Sequence, residues 1–221
     1  MKRAATPFQF MGCVELRQAV GRRALDEREL MDRLEEVPAD SIFYHAHGYF
    51  LRHRPLTTAY GNDFAAWVAL HVRDLALAER LGVVNPFEFE NVDDLREELV
   101  GTIDDHLGRL STVPRVEFGE PFYFQQAHIV EIALGPPATT LAEFRTALAD
   151  VDASAIYVHM VEARARLRRR TDDFAEWFRS SLNLPDLAAR VERLDTYMTS
   201  LERLRARVLA LVDGGLDGGR T

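Results

Sequence analysis

The 221-residue sequence predicts a mainly α-helical protein built as a tandem internal duplication, with one short strand opening each repeat. Two observations predict it. Landmarks of the first half recur in the same order in the second, and the stretches between them carry helix-start signals followed by apolar residues at helical spacing. Pro7-Phe-Gln-Phe10 recurs as Pro121-Phe-Tyr-Phe124, and at the same spacing Gly21 falls on Gly135, Glu29 on Glu143, Val37 on Val151, Ile42 on Ile156 and His45 on His159. A few residues fewer then bring Asn62-Asp-Phe-Ala-Ala-Trp67 onto Asp172-Asp-Phe-Ala-Glu-Trp177, and finally Leu95-Arg96 onto Leu204-Arg205.

Each repeat opens on an aromatic, alternating segment, Phe8 to Leu16 and Phe122 to Ile132, expected as a short strand closed by a turn at Gly21 or Gly135. Asp26-Glu-Arg-Glu29 and Thr140-Leu-Ala-Glu143 are capping-box patterns for the next helix. Asp40 and Ser154 are expected to cap helices over 41–54 and 155–169; the helix formers of Met160 to Leu167 decide that assignment over a strand. Asn62 and Asp172 cap a third helix, and Asn91 and Ser200 a last one, about four per repeat. The expected organisation is a first repeat over 1–110, a linker at 111–120, a second repeat over 121–213 and a disordered tail at 214–221. Both repeats are expected to share one compact domain, their short strands pairing near a pseudo-twofold.

On these residues the chain resembles an uncharacterised prokaryotic family, a domain of unknown function. The resemblance rests on Val14-Glu-Leu16, Val37 to His45 with His47, Asn62-Asp-Phe-Ala65 with Trp67, Ile156-Tyr157 with His159, and Glu162-Ala-Arg164. It covers most of the chain and implies a mainly helical protein; it supplies no activity.

The 27 basic and 35 acidic residues leave a net charge of −8, which gives no general attraction for nucleic acid or anionic membranes. No stretch approaches the roughly 18 uninterrupted apolar residues of a membrane helix, so a cytoplasmic protein is expected. Cys13 is the sole cysteine, which excludes an intramolecular disulfide and a thiolate zinc cluster.

Chemistry is expected where the copies differ. Glu15, Tyr44, His47, Arg52 and His53 have apolar or unlike counterparts in the second half, and with His45 they form a candidate pocket for a polar or anionic small molecule. His45 and His47 lie about 200° apart on a helix and cannot share one metal. No His-Glu-x-x-His or calcium loop is present, so no native metal is expected, and no motif names a cofactor. Features common to both copies, such as His45 with His159 and Trp67 with Trp177, are expected to serve packing. The basic run Arg164 to Arg170 reads as a solvated helix terminus. The preferred function is a non-catalytic binding or accessory protein for a small ligand or protein partner. An acid–base or metal-assisted enzyme using His45 or His47 with Glu15, and a pure interaction scaffold, are the alternatives.

Overall fold

Two long strands carry the alternating aromatic segments. In the computed structural model, which describes residues 3–52, 60–164, 171–197 and 199–218, β1 spans Arg3–Ala24 and β2 spans Phe122–Thr140, and they pair as a two-stranded antiparallel sheet. This corrects the expectation of a mainly α protein with a short strand in each repeat: β1 has 22 residues and β2 has 19. Gly21 and Gly135 adopt φ of +75° and +62°, yet neither ends its strand. They take the left-handed conformation inside a continuing strand, as glycine does at a β-bulge, so a local turn signal marks a bend instead of a terminus.

Contact density divides the chain into residues 15–128 on one side and residues 1–14 with 129–221 on the other. The strands therefore contribute to both units, and neither unit coincides with a repeat read from sequence.

In the unit of residues 15–128, Asp26 caps α1 (Glu27–Glu36), accepting from Glu29 N. Glu29 reaches back to the Leu25 N–H, one residue earlier than the reciprocal partner of a capping box. Next come α2 (Ala39–Ala46) and the short α3 (Tyr49–Arg52). Asp40 lies within α2 instead of capping it; Pro38 holds the cap position, and Ser41 Oγ donates to Gln125 O. Asn62 caps α4 (Asp63–Trp67), which runs into a π-helical turn over Val68–Val72 that Arg73 terminates at φ +69°. Asp74 caps α5 (Leu75–Gly82), and Asn91 caps α6 (Val92–Leu107). Leu30, Leu34, Ile42, Phe64, Leu77, Leu81, Leu99 and Ile103 close a core against Phe122 and Phe124 of β2.

In the other unit, Thr140 caps α7 (Leu141–Asp150), and Asp152, not Ser154, caps α8 (Ala153–Ile156). The expected continuation is a π-helical turn over Tyr157–Glu162, and residues 165–170 of the predicted helix lie outside the described residues. Asp172 caps α9 (Asp173–Ser180), Pro185 starts α10 (Pro185–Glu192), and α11 spans Leu201–Gly218. The tail expected to be disordered is thus helical through Gly218. Phe8 and Phe10 pack on Phe144, His159 and Phe174, with ring centroids 4.8–6.0 Å apart.

Candidate functional site

Four of the six residues proposed for the pocket come together on α2, α3 and β1. Arg52 is the centre. Its Nη2 donates to Asp63 Oδ2 at 2.5 Å and its Nη1 donates to the Tyr44 carbonyl at 2.9 Å, with Glu15 Oε1 at 3.5 Å. The guanidinium stacks 3.8 Å over the Tyr44 ring, a cation–π arrangement. Glu15 also takes Arg17 at 3.0 Å, and the Tyr44 hydroxyl donates to Gln125 Oε1 at 2.9 Å. Burial raises the Tyr44 hydroxyl pKa above its ordinary value.

His45 joins this group through Asp63, its Nδ1 lying 2.8 Å from Oδ2. Its Nε2 accepts from the Gln125 N–H at 3.0 Å, which requires that nitrogen to be unprotonated and places the ring proton on Nδ1. Burial holds its pKa below the ordinary histidine value, against the opposing pull of Asp63. A neutral imidazole with both nitrogens committed has no position from which to take up a substrate proton.

His47 is turned away from this group. It stacks on Phe43 at 4.5 Å and meets Phe87 edge-on at 5.4 Å. Burial pushes its pKa down to about 4, a backbone hydrogen bond at Pro86 opposing the shift. His53 lies outside the described residues. Of the basic run, Arg164 is partly buried and pairs with Asp172 and with the Glu192 and Leu194 carbonyls, while Arg166 and Arg168 to Arg170 also lie outside the described residues.

The same bonds recur in the other unit. His159 Nδ1 faces Asp173 Oδ2 at 2.9 Å and its Nε2 accepts from Met11 N at 2.8 Å. Trp67 donates to the Glu120 carbonyl and Trp177 to the Thr6 carbonyl. These residues anchor a strand to helices in each unit.

Two further groups lie outside the candidate pocket. A cleft of about 580 Å³ is lined by His71, Val72 and Arg73, and by Thr112 to Arg115 with Glu117 and Phe118. His71 Nδ1 accepts from the Glu120 N–H, so its Nε2 carries the proton. Gly119 permits that approach: a Cβ there would stand 2.8 Å from His71 Nδ1. Arg73 and Arg115 have no ion pair or side-chain hydrogen bond among the described residues. The second group is Glu27, Asp74 and His106, from α1, the cap of α5, and α6. A carboxylate oxygen of each acid and a ring nitrogen of His106 lie within 4.8 Å of one another. The residues come from three distant points of the chain, so no local spacing could reveal them. Setting the two halves of the sequence side by side at the expected offsets could: Glu27 falls on Leu141, Asp74 on Leu184 and His106 on Gly215.

Helices packed against a long antiparallel strand pair, with buried histidines paired to aspartates and holding the strands, define a fold class without an assigned chemistry. The chain belongs to the family of unknown function DUF5752, which matches residues 5–213. It is also similar to OrfY from Thermoproteus tenax, with 27% sequence identity, a TM-score of 0.80 and 96% of each chain covered. No curated protein matches it. Among the described residues, no helix is long and apolar enough to cross a membrane.

Proposed function

We propose that the chain is a non-catalytic binding protein whose residues 15–128 take up a small anionic molecule in the cleft between His71–Arg73 and Thr112–Phe118. The observation that carries this reading is the pair Arg73 and Arg115, which line the cleft without a carboxylate partner among the described residues. Guanidinium groups are suited to bidentate recognition of carboxylate or phosphate. The protonated Nε2 of His71 adds a donor, and Phe118, 85% exposed, adds an apolar face. The volume lies within the roughly 300–1,000 Å³ usual for small-molecule sites. Glu117, also in the lining, favours a ligand that carries a donor beside its anionic group.

A binding role is preferred to catalysis because the acid–base candidate His45 has both nitrogens engaged and Glu15 is held by Arg17 and Arg52. The matched His–Asp and Trp–carbonyl bonds of the two units support the reading of an ancient duplication. In that reading the shared residues hold the fold, and the groups present in one copy serve the ligand.

The experiment is thermal unfolding against small carboxylates, phosphate and sugar phosphates. A ligand bound only by the folded state adds about 2.7 kcal/mol of stability at a hundredfold excess over its dissociation constant. The expected result is a shift that the double variant Arg73→Ala/Arg115→Ala abolishes. A flat panel, or an equal shift in the double variant, would sink this reading and leave the interaction scaffold.

A further inference from the structure

Glu27 is completely shielded from solvent, and neither carboxylate oxygen has a hydrogen-bond partner among the described residues. A buried acceptor left without a donor costs on the order of 1–3 kcal/mol, more when charged, so such a group calls for a partner. The side chain points toward His106, whose Nε2 is 3.9 Å from Glu27 Oε2 and 2.9 Å from Asp74 Oδ2. Asp74 keeps its other oxygen on the Leu77 N–H, which fixes the carboxylate's orientation.

The other unit supplies an internal control. Glu27 is the first residue of α1 and Leu141 the first of α7; Asp74 occupies the cap position of α5 and Leu184 that of α10. Gly215, at the place of His106, lies so that a Cβ would touch Leu141 and Leu187 at 3.6 Å. The same corner of the helical packing is thus filled by hydrocarbon in one unit and by two acids and an imidazole in the other. The fold does not require the polar set.

We propose that Glu27, Asp74 and His106 together bind one divalent transition-metal ion. A dication neutralises both carboxylates, and it gives the unpartnered Glu27 oxygens the ligand they lack. One imidazole nitrogen with two carboxylates suits a zinc-like or manganese-like ion; calcium and magnesium favour oxygen-only sets. Metal–ligand distances of about 2.0–2.2 Å require Glu27 to swing inward by on the order of 1 Å, a side-chain adjustment. Three protein ligands leave a coordination position open. The triad adjoins the cleft, since Arg73 precedes Asp74 and the Glu27 N–H donates to the Pro114 carbonyl. Ion binding does not depend on the anion reading.

The test is calorimetric titration of chelator-treated full-length protein with Zn²⁺, Mn²⁺ and Mg²⁺, joined by the visible absorption of added Co²⁺. One Zn²⁺ per chain, a raised melting temperature and a Co²⁺ spectrum, all lost in Glu27→Leu and in His106→Gln, are expected. Glu27→Leu copies what Leu141 does in the other unit. Should it fail to fold, Glu27→Gln keeps the shape and is expected to weaken Zn²⁺ binding by more than about tenfold. Absence of stoichiometric binding by the wild type, or equal binding by the variants, would overturn the proposal. Arg73→Ala/Arg115→Ala is expected to bind Zn²⁺ normally, which separates this site from the cleft's ligand.

Discussion

Asp63 Oδ2 lies 2.8 Å from Nδ1 of His45, and the same oxygen receives Nη2 of Arg52 at 2.5 Å. One carboxylate thus holds two helices while the far side of the imidazole holds β2 through Gln125. His45→Ala would leave a cavity and strip the Gln125 N–H of its acceptor, so a loss of about 2–4 kcal/mol is expected. His159→Ala is expected to cost a similar amount, because the Met11 N–H stands where the Gln125 N–H does. Urea unfolding of both variants checks this; a loss below about 0.5 kcal/mol in either would remove the packing role.

Acid should destabilise the protein through His47. Its folded-state pKa, about 4, is depressed below the ordinary 6.5, so the unfolded chain binds the proton first as pH falls. Stability from this group is complete above pH 6.5 and is lost progressively as pH falls toward and through 4, on the order of 3 kcal/mol in total. Burial depresses His45 in the same direction and adds to the slope. Stability measured from pH 7 to pH 4 is expected to fall less steeply in His47→Gln than in the wild type.

Gly48→Ala is expected to be severe for a single methyl group. The added Cβ would sit 2.6 Å from the Tyr44 carbonyl oxygen and 2.8 Å from Arg52 Nη1, the two atoms of one hydrogen bond. Arg52 can move aside but the backbone carbonyl cannot, so α2 and α3 must shift. A loss of about 1–3 kcal/mol is expected in chemical unfolding. Gly21→Ala, with open space around its Cβ but φ at +75°, is expected to cost only about 1 kcal/mol, through backbone strain alone.

In metal-free protein at pH 8, Glu27→Leu is expected to raise stability by about 1–3 kcal/mol, since hydrocarbon replaces a buried acid without a partner. Differential scanning calorimetry in the presence of a chelator measures it. A destabilised variant would mean that Glu27 has a donor that the fold depends on.

Much of the helical framework was legible in the chain. The caps at Asp26, Thr140, Asn62, Asp172 and Asn91 stand where they were read, because a cap is a bond between residues two or three apart. The strands were under-read for an equally physical reason. Beyond Leu16, residues such as Arg17, Gln18, Arg22 and Arg23 are exposed and show no apolar alternation, and Gly21 signals a turn to any local rule. Pairing with β2 extends the strand regardless. The grouping of residues 1–14 with 129–221 is not legible in the chain, because it arises from strand segments packing with helices distant in sequence.

Of the candidate residues, Glu15, Tyr44, His45 and Arg52 lie together, and their charges and hydrogen bonds are spent on one another and on Asp63. His47 belongs elsewhere, its ring between Phe43 and Phe87, as the 3.6-residue turn requires. The chain alone determined the caps, the helix faces and, with Cys13 as its sole cysteine, that no intramolecular disulfide can form, all matters of composition and near neighbours. Tertiary structure decided the rest: how far the strands run, that Asp63 satisfies His45, and that Glu27, Asp74 and His106 meet. Those are contacts across 18 to 79 residues, where no local energy term specifies the partner and only the packing of the whole fold brings the groups together.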